Sequence, residues 1–307
     1  MQPIINYFKH PAEFIDSLVK NFGQWLPDST YIKLRYRCQM GKRLNLRNPQ
    51  TFSEKLQWLK LHDRRPEYTK MVDKLLVKDY VTSQIGGQYV VPLLGVWDKP
   101  EDIDWDKLPD RFVLKTNHSG GNTGVVICYD KDTFDRQKAI MKLRASLASD
   151  VYHILREWPY KNVKKKIFAE EYIEPAPGVK DLPDYKFFCF NGKVKALFIA
   201  TDRQTPGVDL KFDFFDSEYN HLPVRQGHPN SVTPPQKPTS FEEMKRVAEI
   251  LSKGIPHVRV DFYEVNGKPV FGELTFCHFA GMVPFEPEEW DYKFGEWLEL
   301  PFVKTRQ

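Results

Sequence analysis

At 307 residues the chain is long enough for about two domains, or one domain with an appended region, and its 41% hydrophobic and 28% charged residues exclude a disordered or low-complexity protein. The net charge of +4, from 45 basic against 41 acidic residues, is too small over this length to argue for nucleic acid. No apolar run approaches the ~20 residues of a membrane span, and MQPIINYFKHPAEF sets proline, histidine and acid where a signal peptide keeps its apolar segment, so a cytoplasmic enzyme is expected.

In chain order, residues 1–70 read as mainly helical. Thr51-Phe-Ser-Glu54 is a capping box ahead of KLQWLKLHD, where Leu56, Leu59 and Trp58 supply a helical apolar face. The same region carries a basic cluster, Arg35, Arg37, Lys42, Arg43 and Arg47, which is either a solvated face or a receptor for a polyanion. Met71–Ile85 is expected as one helix carrying Asp73, Lys74 and Lys78, followed by a strand over 89–97. Two further strands, 112–115 and 124–129, flank the loop KTNHSGGNTG (115–124), and the apolar spacing of Ile140, Leu143, Leu147, Val151, Ile154 and Leu155 predicts a long helix over 135–158.

The second half is richer in strands. KIFAEEYI (166–173) is a strand, and KFFCFNGKVKALFIA (186–200) is a hairpin turning at Asn191-Gly192. Ser240-Phe-Glu-Glu243 reads as a second capping box opening a helix to Leu251, and RVDFYEVNGKPVFGELTF (259–276) repeats the hairpin design at Asn266-Gly267. Antiparallel hairpins of this kind fit a parallel dinucleotide-binding sheet poorly. Cys38, Cys128, Cys189 and Cys277 form no C-x-x-C pair and no Cys/His cluster; they give no support to a structural zinc site or a disulfide framework, and the last three read as core residues. Asn117-His-Ser119 matches a glycosylation acceptor by chance.

A lysine followed by glycine, serine, threonine and asparagine resembles a phosphate cradle, but this loop joins strand to strand. It therefore lacks the helix N-terminus a P-loop uses. On its own it is either a glycine-rich lid offering backbone N–H groups to phosphates or a plain flexible hairpin. The 259–276 hairpin weighs on that choice. Its turn sets Asp261 opposite Glu273 and Arg259 opposite Thr275, and strand alternation puts Arg259, Asp261 and Tyr263 on one face, with Phe271, Glu273 and Thr275 on one face of the partner. Two opposed carboxylates repel unless a cation separates them, and hard oxygen donors with open positions suit Mg²⁺ carrying nucleotide phosphates. With Lys115 and Lys186 supplying positive charge, the set describes a nucleoside triphosphate site.

The ordered motifs TFSEKLQWLKLHDR (51–64), FVLKTNHSGG (112–121), FAEEYI (168–173), DYKFFCFNG (184–192) and RVDFY…FGELTF (259–276) resemble the ATP-grasp superfamily, and within it the TupA-like branch of bacterial surface-polysaccharide gene clusters. The resemblance runs from about residue 45 nearly to the C-terminus. It implies an α+β, ATP-grasp fold, with two α+β subdomains whose antiparallel sheets grip ATP behind a helical N-terminal extension (1–70). The remainder would divide into a preATP-like segment (71–110), a lid and adenine-hinge subdomain (111–175) and a metal-binding subdomain (176–307).

Carried over by position, the resemblance gives Lys115, Lys186 and Arg259 catalytic roles. Lys115 would contact the α- and β-phosphates, with Lys74 or Lys78 as an earlier basic contact, and Lys186 would pair with phosphate. The 118–124 loop, with His118, Ser119, Gly120, Gly121, Asn122 and Thr123, would close over the β- and γ-phosphates. Glu170, Glu171, Tyr172 and Ile173 would form the adenine hinge, Asp261 and Glu273 would bind Mg²⁺, and Arg259 would steady the phosphoryl group. Thr275 stands where the family usually has Asn as third metal ligand.

The implied activity is ADP-forming ligation of a carboxylate to an amine through an acyl phosphate. In the TupA-like branch it joins an amino acid to a uronic-acid carboxylate of a surface polysaccharide, with peripheral association to the assembly machinery. On charge placement, Arg35, Arg37, Arg43 and Arg203 are expected to meet an acidic glycan, and His118 and His278 to approach substrate. Two rivals predict different features. A glycosyltransferase needs a D-x-D motif at a strand end, and Asp102-Ile-Asp104 and Asp104-Trp-Asp106 lie in an acidic loop, whereas a non-catalytic glycan-binding protein needs none of the Lys/Asp/Glu set.

Overall fold

The computed structural model of the protein describes residues 11–175, 182–203 and 207–301. The N-terminal region is helical, with α1 (Pro11–Phe22), α2 (Asp28–Met40) and α3 (Phe52–His62). The Thr51 capping box forms: the Glu54 N–H donates to Thr51 Oγ1 at 3.2 Å, and the Thr51 N–H donates back to the Glu54 carboxylate at 3.3 Å.

Two expected helices break at short polar side chains, and one expected cap does not form. The helix predicted over 71–85 is two, α4 (Glu67–Val72) and α5 (Val77–Ile85), because Asp73 Oδ1 accepts the N–H groups of Leu75 and Leu76 at 2.9 and 3.2 Å. That local bonding competes with the helix and extends the chain at Asp73 (ψ 109°). The helix predicted over 135–158 is likewise split into α6 (Arg136–Ala148) and α7 (Val151–Leu155), since Asp150 leaves the helix to accept the His153 N–H at 2.9 Å. Ahead of α8 (Phe241–Leu251) the capping box at Ser240 does not form. Ser240 gives both its N–H and its hydroxyl to Glu264, at 2.8 and 2.6 Å, while Glu243 accepts the Tyr89 hydroxyl.

Two antiparallel sheets organise the rest. The first has the order β1-β4-β2-β3, from β1 (Leu93–Trp97), β2 (Phe112–Thr116), β3 (Val125–Cys128) and β4 (Ile167–Glu171). The strand expected from residue 89 begins only at Leu93, because Gly87–Tyr89 forms a 3₁₀ turn that buries Tyr89. Phe112 and Leu114 of β2 face a core with Leu143 of α6, leaving Val113 and Lys115 on the opposite, half-open face.

The second sheet has the order β10-β9-β5-β6-β7-β8, from β5 (Asp184–Phe190), β6 (Lys193–Thr201), β7 (Lys211–Asp216), β8 (His221–Leu222), β9 (His257–Val265) and β10 (Lys268–Thr275). Both hairpins turn through two left-handed residues, Asn191 and Gly192 (φ 46° and 80°) and Asn266 and Gly267 (φ 51° and 71°). The run FFCF (187–190) is apolar throughout because both faces are covered. Phe187 and Cys189 pack with α8, while Phe188 and Phe190 pack with Phe52 of α3 and Phe294 of α9 (Glu289–Trp297). Each buried Phe contributes roughly 1.5–3 kcal/mol. On β5 and β9 the α3-facing surface is Phe190, Phe188 and His257 in its covered part, then changes to Lys186, Asp184, Arg259 and Asp261. The site begins where that aromatic layer ends.

Candidate active site

Lys186 pairs across the ladder with Asp261, and Asp261 with Glu273. The carboxylate of Asp261, 1% exposed, accepts from Arg259 Nε and Nη2, both at 2.7 Å, and from Lys186 Nζ at 2.5 Å. Lys186 also pairs with Asp184 Oδ2 at 2.6 Å, and Arg203 Nη1 reaches the same oxygen at 2.8 Å. Glu273 is held from the other side by Lys74 at 2.7 Å, with Arg259 at 3.7 Å. Burial pushes the Glu273 carboxyl up, but the cations Lys74, Lys186 and Arg259 outweigh it and hold the group well below the usual carboxylate range. Thr275 Oγ1 accepts from Arg259 at 3.1 Å.

The register carries one correction. Phe271, expected on the face of Glu273 and Thr275, instead lies opposite Phe262 in the core, because a bulge at Gly272 separates Phe271 from Glu273. A Cβ on Gly272 would stand 3.1 Å from the Asp261 carbonyl oxygen, so a side chain there would crowd the backbone of β9.

Arg259 is fixed from behind. Its Nη1 donates to His278 Nδ1 at 2.6 Å; since arginine can only donate, the imidazole proton sits on Nε2, which donates to Gln226 Oε1 at 2.9 Å. Burial and the Arg259 charge keep His278 neutral. The chain after His278 runs through two left-handed non-glycine residues, Phe279 and Ala280 (φ 49° and 54°), then Gly281. Helix α3 holds that turn: Gln57 donates to the carbonyls of Ala280 and Gly281 at 2.8 and 2.9 Å, and Lys60 Nζ to that of Ala280 at 2.7 Å.

The first sheet faces this group with its own charges. Glu170, expected in the adenine hinge, is buried and paired with both Lys115 and Lys78; the Lys115 distance is 2.5 Å. Burial raises the Glu170 carboxyl, and the two ammoniums more than reverse that. The rest of the expected hinge, Glu171, Tyr172 and Ile173, lies at and just beyond the end of β4, with Glu171 exposed and its N–H on Pro92 O at 3.3 Å. Lys78 also donates to Val91 O, which makes it a fixed, buried cation.

Residues 115–124 divide in two. His118 and Ser119, expected in the lid, are buried in its root: His118 Nε2 contacts Ser146 O at 3.1 Å, and Ser119 Oγ meets Thr116 Oγ1 at 2.7 Å. Gly124 closes the root, where a Cβ would lie 2.0–2.6 Å from the hydroxyls of Thr116, Ser119 and Ser146. Only Gly120, Gly121, Asn122 and Thr123 form the exposed tip. Lys74 links this loop to the second sheet, donating to Ser119 O at 2.8 Å while pairing with Glu273.

Arg35 does not join the site. It is buried and bonded to Asp16 at 2.7 and 3.0 Å and to Ile154 O at 2.7 Å. Arg37 and Arg43 are exposed on the N-terminal region, whereas Arg203, expected with them, lies at Asp184. The D-x-D strings at 102–106 occupy short 3₁₀ turns and the link between them rather than a strand end. All four cysteines are free, Cys128, Cys189 and Cys277 are buried, and His257 is a core residue on Cys189 O.

Four members were not anticipated. Asp184 is 3% exposed with Oδ1 unpartnered among the described residues; its place two before Lys186 on a strand already put it on the same face. Gln226 sits on a segment with no sequence signal. Asn117 binds Asp73, Lys164 O and the Lys166 N–H, anchoring the Lys74 segment to the loop root. Glu157 is buried, and desolvation moves its carboxyl up to about 7 against the pull of Lys60 and Arg259.

Residues 54–299 match the family model described as TupA-like ATPgrasp. Curated proteins give no match. Among solved structures, the D-alanine–D-alanine ligase of Bacillus anthracis is 19% identical at TM-score 0.39, over 67% of this chain and 57% of that one. The corresponding ligase of Coxiella burnetii is 15% identical at 0.42, over 81% and 60%. The ATP-grasp ligase PsnB with its minimal precursor is 12% identical at 0.41, over 87% and 69%. The chain thus spans about three fifths of the D-alanine–D-alanine ligases it resembles. The family match covers both sheets and the helices α4 to α9, and on it the chain belongs to the TupA-like ATP-grasp family.

Proposed function

We propose that the protein is an ATP- and Mg²⁺-dependent, ADP-forming ligase that joins a carboxylate to an amine, the carboxylate being a uronic acid of a cell-surface polysaccharide and the amine an amino acid. The observation that carries the reading is the opposed pair Asp261 and Glu273 with Lys186, Arg259 and Lys74 converging on it. No other catalytic constellation competes with it among the described residues.

The donor set fits Mg²⁺. Asp261 and Glu273 offer hard carboxylate oxygens, Thr275 a hydroxyl, and Asp184 an oxygen without a partner among the described residues. Among the described residues no group of three or more His, Cys, Asp or Glu is arranged to hold a metal alone, which suits an ion taking its remaining ligands from phosphate and water. When bound, the ion would neutralise phosphate charge.

The chain's own residues divide the remaining work. Here each anion-binding cation is matched to a carboxylate: Lys186 and Arg259 to Asp261, Lys74 to Glu273, Lys115 and Lys78 to Glu170. Nucleotide binding would exchange these partners, freeing Lys115, Lys186 and Arg259 for phosphate oxygens. The tip 120–123 would fold over the phosphates and exclude water, with Glu171, Tyr172 and Ile173 at the adenine. The carboxylate oxygen of the first substrate attacks the γ-phosphorus and ADP leaves. The amine nitrogen then attacks the acyl carbon, phosphate leaves and the amine loses a proton. Arg259, held by His278, opposes the charge developing on the transferred group. Arg203 beside Asp184 is the cation suited to an acidic substrate.

The test is ADP release from purified protein with ATP, Mg²⁺, a uronic-acid oligosaccharide and each of the twenty amino acids, with the product mass measured. Release requiring both acceptors, with a product heavier by one amino acid less water, supports the reading. Sugar-nucleotide turnover without ATP would replace it with a glycosyltransferase.

A further inference from the structure

Six of the fourteen large apolar side chains exposed among the described residues fall between residues 14 and 34. On α1, Ile15, Leu18 and Phe22 lie within an arc of roughly 100° at the helical repeat. They are 46%, 42% and 72% exposed, and Trp25 just beyond the helix is 82% exposed. Leu34 on α2 adds to them. An ordinary surface helix buries such a stripe. Here the inward contact is polar instead: Asp16, 7% exposed, receives Arg35 and Gln39. The apolar arc is left pointing outward.

Charge is concentrated in the same place. Residues 11–50 hold seven of the 45 Lys and Arg but only three of the 41 Asp and Glu, so the remaining 38 and 38 balance and this segment carries the whole net charge of +4. With Arg35 and Asp16 cancelling internally, Lys20, Lys33, Arg37, Arg43 and Arg47 remain exposed. Lys20 is on the face of α1 turned away from the apolar arc, whereas Lys33 and Arg37 lie together on one side of Leu34 on α2.

We propose that α1 lies in the interfacial plane of an anionic lipid bilayer. Ile15, Leu18, Phe22 and Trp25 insert between headgroups, and Lys33 and Arg37 contact lipid phosphates. An exposed stripe carrying Trp and Phe, with Lys and Arg on the adjoining helix, matches a negatively charged, amphipathic surface. No described helix is long and apolar enough to cross a membrane, so the association is peripheral. It stands independently of the chemistry at Asp261 and Glu273.

The experiment is co-sedimentation of the full chain with phosphatidylcholine vesicles, with and without phosphatidylglycerol. Binding is expected only to the anionic vesicles and to weaken with salt. Leu18→Glu with Phe22→Glu should reduce it at least about tenfold. Each of Lys33→Gln and Arg37→Gln should reduce it about fivefold, the equivalent of ~1 kcal/mol per surface charge, and Lys20→Gln, on the opposite face of α1, should reduce it less. Circular dichroism should show the variants folded. No binding, equal binding to both vesicle types, or binding unchanged in the Leu18/Phe22 variant overturns the proposal. A dimer that Phe22→Glu dissociates, without vesicle binding, overturns it in favour of self-association.

Discussion

Replacing Asp261 with Asn removes the one carboxylate shared by Arg259 and Lys186. The side chain is 1% exposed and accepts three charge-assisted bonds of 2.5–2.7 Å. Breaking a buried pair while leaving its partner charged costs ~3–5 kcal/mol. At ~2–4 °C per kcal/mol, the value for somewhat smaller domains, that lowers Tm by on the order of 10 °C without ligand. Glu273→Gln should cost less than half as much. Its side chain is 27% exposed and only Lys74 lies within 3 Å, so solvent screens part of the attraction of Lys74, Lys186 and Arg259. Adding Arg259→Met to Asp261→Asn should recover part of the stability by removing an uncompensated cation. Differential scanning fluorimetry without nucleotide reads all three. An Asp261→Asn protein melting within about 2 °C of wild type would refute the claim that the site's acids and bases neutralise one another at rest.

Further outcomes follow from single contacts. Gly124→Ala places a methyl group within 2.6 Å of three buried hydroxyl oxygens, so the root must shift at a cost of ~1–3 kcal/mol and both Tm and ATP affinity should fall; unchanged binding by calorimetry would mean that the loop root does not position the tip. Glu157 has a folded-state pKa of about 7 against an ordinary 4.5, so its stabilising contribution is complete below pH 4.5 and lost as pH rises through 7. Lys60 and Arg259 oppose that shift, with Tyr160 and Cys277 also facing the group. Glu157→Gln should therefore match wild type near pH 4.5 and exceed it at pH 8 by up to about 3 kcal/mol, and parallel Tm–pH curves would exclude this. Arg35→Ala should cost ~3 kcal/mol by stranding Asp16, whereas Arg37→Ala and Arg43→Ala should stay within ~0.5 kcal/mol in thermal melts. Equal effects at the three positions would contradict the burial of Arg35.

What could be read beforehand was governed by period and turn chemistry. The Asn-Gly turns set both hairpins, and with them the opposition of Asp261 and Glu273. The alternation Lys186, Phe188, Phe190 already marked the strand surface on which the site ends. The misreadings come from short polar side chains that bond elsewhere than the pattern requires, Asp73 and Asp150 to nearby backbone N–H groups and Ser240 to a tertiary partner. Asp73 and Asp150 interrupt continuous helical apolar patterns, and Ser240 abandons a well-formed capping signature for Glu264, a residue on a distant strand. The bulge at Gly272 moves Phe271 to the other face, and periodicity alone does not place a bulge. Burial was illegible for single charges. Arg35 sits in the same basic run as Arg37, yet only it meets Asp16, and nothing in FAEEYI marks Glu170 as the acid that pairs with Lys78 and Lys115.

The central claim is that a substrate carboxylate is activated by taking the γ-phosphoryl group. It is tested most directly by ligation with a uronic acid labelled with ¹⁸O in its carboxylate. The account predicts that each phosphate released carries one ¹⁸O, because the carboxylate oxygen that attacks phosphorus leaves with it when the amine attacks carbon. Phosphate free of label, with both heavy oxygens retained in the sugar, would contradict it.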